Sequence, residues 1–224
     1  MDRFDVVAFG AHPDDLEAVM GGTTAVLVRR GLSILFVDLC DGEPARHAGH
    51  GVRHVQAERA AGILGVTRET LTMTDRFIRD SIEARLGVAR LIRQHRPRFV
   101  FTTLGSGVHP DHAAATDIVV GGDTLADSEP HEIERLFFGH CRMEPPWDRF
   151  DFAVDVSGVY PQKMAALSAY ESVFSGDQAM LLAKYTAEDR FVGSLVGVEY
   201  AEGFRARSPL LVASPEAFAP ARFG

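Results

Sequence analysis

Three short, nearly uninterrupted apolar runs recur along this chain: Val6-Val7-Ala8-Phe9, Ile34-Leu35-Phe36-Val37 and Phe99-Val100-Phe101. A strand with no polar alternation has both faces covered, which suits a parallel sheet flanked by helices. The intervening segments have the length and spacing of helices. Leu16 to Arg29 reads as one, with Val19, Thr23, Val26 and Leu27 inward and Gly31 as its stop. Val52 to Leu64 reads as a second, stopped by Gly65, and Ile82 to His95 as a third, with Ile82, Leu86, Ala89 and Ile92 on its apolar side. Residues 4–9, 33–39, 70–73, 99–103, 134–138 and 152–156 read as strands. Asp111 to Ala126, Pro161 to Tyr170 and Asp177 to Leu195 read as the later helices. Strand and helix in alternation predict an α/β fold: a single-domain, Rossmann-like, mostly parallel sheet with helices on both faces. The domain is expected to occupy residues 1–224 without a linker.

Charge narrows the partners. A net charge of −8 at pH 7 argues against nucleic acid, whose binding needs clustered cations. No apolar stretch reaches membrane-spanning length, and Met1-Asp2-Arg3-Phe4-Asp5 lacks a signal-peptide pattern, so the expectation is a cytoplasmic protein without a membrane partner. Two cysteines, Cys40 and Cys141, are too few for a disulfide framework. A homo-oligomer is compatible with everything in the sequence.

The chemistry gathers where two strands end. His12-Pro13-Asp14-Asp15 follows the first apolar run directly, and His109-Pro110-Asp111-His112 follows the run at 99–101. Loops at the carboxyl ends of parallel strands are where such folds collect function. His12 and Asp15 are three apart and project to one side of a first helical turn. With His112 they make a His, Asp, His set that leaves a coordination position open, the pattern of a catalytic Zn2+ site, although ligand type admits other divalent transition metals. Asp14, beside a ligand yet separate from it, is placed to take a proton from water as general base. His109 is the candidate for stabilising an oxyanion as an imidazolium or protonating a leaving amine, with Asp111 orienting it and keeping it charged. Plainer readings exist for each cluster alone: carboxylates at helix starts are favoured by the dipole, and loop histidines need no partner. Two clusters placed alike favour the metal.

Ala11-His12-Pro13-Asp14-Asp15 together with His109-Pro110-Asp111-His112 resembles the zinc-dependent de-N-acetylases of the PIG-L/LmbE family. Gly21-Gly22-Thr23, Gly62-Ile63-Leu64-Gly65-Val66, Asp75 and Gly197-Val198-Glu199-Tyr200-Ala201-Glu202-Gly203-Phe204 match further, in order, from about residue 4 to about residue 212. The closest likeness is to the bacillithiol-biosynthesis deacetylase branch. The resemblance implies hydrolysis of an N-acetyl group on a glucosamine-type conjugate, a small-molecule partner. It also implies His12, Asp15 and His112 as metal ligands, Asp14 as base and His109 on the oxyanion side. It adds Arg53 and Asp75 as substrate-binding residues. Composition alone makes Arg53 equally a solvated helix-start charge and Asp75 a turn residue.

The chain departs from that branch on the substrate side. Cys40-Asp41-Gly42-Glu43-Pro44-Ala45-Arg46-His47 replaces the usual Thr-Arg-Gly-Glu region, Gln56 stands for a common Glu, and Ser172-Val173 for a common Ser-Gln. These differences point to an unusual sugar conjugate. A larger acyl group or a thiol conjugate cleaved at the same metal is the rival activity. A nucleotide-binding or regulatory α/β module is the rival class, opposed by the acidic, glycine-poor turn after the first strand. His47, His50 and His54 read as loop histidines, Cys40 as a small buried thiol, Tyr170 and Trp147 as core or pocket lining, and His140 as a residue near the pocket.

Overall fold

In the computed structural model, residues 3–43, 49–105, 109–126, 135–140, 150–176 and 180–210 are described. Seven strands form one sheet, in the order β3-β2-β1-β4-β5-β7-β6. The strands are β1 (Val6–Gly10), β2 (Ile34–Cys40), β3 (Thr67–Met73), β4 (Phe99–Leu104), β5 (Arg135–His140), β6 (Phe152–Asp155) and β7 (Ala201–Ala206). The helices are α1 (Asp15–Arg29), α2 (Val52–Leu64), α3 (Ile82–His95), α4 (Pro110–Ala126), α5 (Tyr160–Ser168) and α6 (Met180–Val196). β1 runs parallel between β2 and β4, with Val6 opposite both Ile34 and Phe99. β3 and β5 extend the parallel set, and β7 runs antiparallel between β5 and β6.

The apolar runs sit where continuous hydrophobicity is required. Every residue of β1 and β2 is buried. Alternate side chains feed two cores. Val6, Ala8, Ile34 and Phe36 pack with α1, α2 and α5, whereas Val7, Phe9, Leu35 and Val37 pack with α3 and α4. The predicted sheet with helices on both faces is therefore the fold of the protein. α1 lies deepest, buried from Leu16 to Ala25, because α2 and α5 cover the side turned away from the sheet.

Some elements differ from the reading of the sequence. β7 was not expected. Its Glu202 is fully buried and faces Lys163 at 2.7 Å, while its carboxylate accepts the backbone N–H groups of Gly22 and Thr23 at 2.9 and 2.6 Å. A strand carrying a paired charge into the core has no apolar signature. β3 begins at Thr67, three residues early, since Arg68 is buried against Glu17 and Asp38. α3 turns Val88, Ala89, Leu91 and Ile92 inward, whereas Ile82 and Leu86 are exposed. Glu134, and residues 177–179 of the last predicted helix, lie outside the described residues. Among the described residues, no helix is long and apolar enough to cross a membrane.

Candidate metal centre

β1 and β4 are neighbours at the point where the sheet order reverses, and the loops leaving their carboxyl ends diverge to opposite faces. A crevice forms at such a place. The turn after β1 is tight. Asp14 closes it at φ 105°, ψ −25°, a left-handed conformation for a residue with a Cβ. Such a residue costs on the order of 1–3 kcal/mol and persists only when its surroundings hold it. From there α1 starts at Asp15, whose Oδ2 accepts the backbone N–H of His12 at 2.9 Å. On the other side, α4 starts at Pro110 and puts Asp111 and His112 in its buried first turn.

These two loops bring the predicted ligands together. Asp15 Oδ2 lies 3.5 Å from His12 Nδ1, and Asp15 Oδ1 lies 3.3 Å from His112 Nε2. The rings of His12 and His112 are 5.3 Å apart and those of His109 and His112 are 4.6 Å apart and stacked. One donor atom from each of His12, Asp15 and His112 falls within 4.8 Å of the others; the same spacing holds for His12, His109 and Asp111, and for His12, Cys40 and Asp75. His12 belongs to all three groups. Imidazole and carboxylate donors in this proportion fit zinc or another divalent transition metal rather than calcium or magnesium, which take oxygen.

The close charges shift the titrating groups of the cluster strongly. Burial opposes the charge on His12, but hydrogen bonds to Asp111, Asp15 and Asp75 outweigh it and raise the imidazole well above its usual range. Burial likewise opposes ionisation of Asp15, and the charge and hydrogen bond of His112 overcome it, holding the carboxyl well below its ordinary value. Asp75 is lowered chiefly by its hydrogen bond from His12. Asp14 behaves oppositely. Burial raises it to about 6, further helped by Asp15, although Arg53 pulls the other way.

Three of the expected residues have further partners. Asp111, whose carboxylate lies within 4.8 Å of donor atoms of both His12 and His109, accepts a hydrogen bond from His12 Nε2 at 3.1 Å and the backbone N–H of Arg76 at 2.6 Å. The α4 first turn points its carboxylate across to the β1 loop. His109, expected as an imidazolium, is pushed below its usual pKa by burial and by the charges of His112 and His12, against the weaker pull of Asp111. Asp75, assigned to the substrate side, reaches the centre itself, with Oδ1 3.1 Å from His12 Nε2.

Arg53 is bound to the turn that carries Asp14. Its Nε and Nη2 donate to Pro13 O at 3.2 and 2.7 Å, Nη2 to Asp14 Oδ1 at 2.7 Å and Nη1 to Gly42 O at 3.3 Å. Beside Asp75 opens a cavity of about 590 Å³ lined by Asp41, Glu43, His50, His54, Thr72 and Met73, among others. Asp41, one of the residues that departs from the bacillithiol-branch pattern, therefore reaches its wall. His47 and Trp147 lie outside the described residues, as does the side chain of His140. Cys40 is buried, its thiol pushed up to about 12 by burial and bonded to Ala11 O.

Sequence reasoning missed the support beneath the turn. Glu17, one helical turn after Asp14, is fully buried and accepts hydrogen bonds from Tyr170 at 2.8 Å and from Arg68, which also forks onto Asp38 at 2.6 and 2.8 Å. Only the polarity of Glu17 within an otherwise buried helix could have signalled it.

Comparison with known proteins identifies the family. The model of the family described as PIG-L, GlcNAc-PI de-N-acetylase, matches residues 7–121, a span that contains both histidine clusters. The probable N-acetyl-alpha-D-glucosaminyl L-malate deacetylase 2 of Bacillus cereus is 28% identical, with 77% of this chain and 84% of that protein covered. Among solved structures, the conserved protein TT1542 from Thermus thermophilus superposes with a TM-score of 0.85 at 35% identity, covering 93% of this chain and 97% of that one. N,N'-diacetylchitobiose deacetylase from Pyrococcus horikoshii shares the fold, with a TM-score of 0.80 at 23% identity over 90% of this chain and 82% of that one. The chain belongs to the PIG-L family of de-N-acetylases.

Proposed function

We propose that this protein is a metal-dependent hydrolase that removes the N-acetyl group from an N-acetylglucosamine-type sugar conjugate in the cytoplasm. The observation that carries the reading is the convergence of His12, Asp15 and His112 beside Asp14 at the joint exit of β1 and β4. A glucosaminyl substrate is supported by the name of the Bacillus cereus relative.

In this reading His12, Asp15 and His112 hold the ion, with zinc the metal their donor set favours. When bound, it supplies a Lewis acid that polarises the acetamide carbonyl and acidifies water. Asp14 takes the proton of the attacking water. Its Oδ1 is committed to Arg53, so the proton goes to Oδ2, and from there to the departing amine. His109, half-buried and stacked on His112, donates an N–H to the developing oxyanion. Asp111 and Asp75 hold His12 Nε2, which turns Nδ1 toward Asp15. The rest of the conjugate lies in the cavity beside Asp75.

The test is acetate release from a panel of N-acetylglucosaminides, including longer acyl analogues, by zinc-reconstituted and chelator-treated protein. Metal-dependent acetate release from at least one N-acetyl substrate is expected. Preference for the longer acyl analogues, or no hydrolysis across the panel, rejects the assignment.

A further inference from the structure

We propose that Arg53 is a positioning residue, which locks the Pro13–Asp14 turn in its left-handed conformation so that Asp14 faces the reacting water. This rests on Asp14 being the base, as proposed above, and it departs from the substrate-holding role that the family resemblance implies.

The guanidinium has five N–H donors in a fixed fork. Four of its hydrogen bonds go to protein: two to Pro13 O, one to Asp14 Oδ1 and one to Gly42 O. The fork thus grips the turn by its backbone and by the side chain of its strained residue at once. A substrate carboxylate or phosphate would have to displace these bonds, and the side chain is only 13% exposed. Independent features of the fold aim the group. Gly42, at φ +66°, lies flat against the guanidinium; a Cβ there would stand 2.9 Å from Arg53 Cζ. The Arg53 backbone N–H donates to Glu43 Oε1 at 3.0 Å, fixing the first turn of α2 to the same loop. The Asp14 side chain makes no capping bond to its own helix and is held by Arg53 instead.

The experiment compares zinc-loaded wild type with Arg53→Met, Arg53→Lys and Gly42→Ala for kcat, KM and bound metal. It also measures Arg53→Met in an Asp14→Asn background, and amide exchange over residues 11–18 in metal-free protein. Misplacement of a reacting group by about 1 Å costs on the order of 100-fold. Arg53→Met should therefore lose about 100-fold in kcat with KM and metal content nearly unchanged. Arg53→Lys, lacking the fork, should not rescue it, and Gly42→Ala should lose part of the same rate. Combined with Asp14→Asn, the Arg53 change should cost almost nothing more. Exchange over 11–18 should quicken by tenfold or more in Arg53→Met. A raised KM with kcat kept, an additive loss in the double variant, or unaltered exchange overturns the assignment. Near-normal turnover by Asp14→Asn alone instead removes the base role beneath it, while the exchange result still decides whether Arg53 locks the turn.

Discussion

His12 Nε2 and Asp111 Oδ2 stand 3.1 Å apart although 99 residues separate them in the chain. The contact stitches the loop after β1 to the first turn of α4. Carboxylates that hold the far nitrogen of a ligating imidazole typically contribute 10–100-fold to metal affinity. Asp111→Asn should therefore weaken zinc binding by about that factor, measured by competition with a chromogenic chelator. Unchanged affinity would detach Asp111 from the centre.

Asp14 and His12 should separate chemistry from binding. Asp14→Asn should keep its metal and lose about 10²–10⁴-fold in turnover, whereas His12→Ala should lose the metal itself. Elemental analysis beside initial rates reads both. Equal metal loss in the two variants contradicts the division of roles.

The acid side of the pH–rate profile should move when Arg53 is removed. As the proposed base, Asp14 would act only when ionised, so the rate would be present above its pKa and fall as pH drops through it. The positive charge of Arg53 holds that pKa down against burial. Arg53→Met should shift the acid limb to higher pH, by about one unit or more. A shift toward lower pH contradicts the sign.

Gly105 follows β4 and lies against the α4 first turn: a Cβ there would collide with the carbonyl carbon of His112. Backbone cannot yield as a flexible side chain does. Gly105→Ala should displace His112 and lower metal affinity by about tenfold or more while the sheet remains folded, seen by circular dichroism beside metal titration.

Lys163 sits wholly buried, with Asp189 Oδ2 and Glu202 Oε1 each 2.7 Å from its Nζ. Lys163→Met leaves buried carboxylates without their cation. A loss of about 3–5 kcal/mol is expected, lowering the melting temperature by on the order of 10 °C. A change of a degree or two would show that the carboxylates find other partners.

The fold was legible where burial is purely apolar. Val6–Phe9, Ile34–Val37 and Phe99–Phe101 announce strands covered on both faces, and their order alone implies the parallel arrangement. What escaped was polar burial. Arg68 in β3 and Glu202 in β7 are core residues whose partners lie on other elements, so the pattern of hydrophobicity passes over them. The same holds around the centre. Neighbours in sequence, such as His12 with Asp15, could be placed by helical spacing. The attachment of Asp111 to His12 depends on how α4 meets β1, and Arg53 meets Asp14 only because α2 begins beside Gly42.

The left-handed backbone at Asp14 has an evolutionary corollary. Position 14 must combine an acid with tolerance for a geometry that branched and bulky side chains refuse, so aspartate has almost no substitute there. Selection for new conjugates is thereby deflected outward, onto cavity-wall residues such as His50, His54 and Thr72, and away from Gly42 and Arg53, which hold the turn.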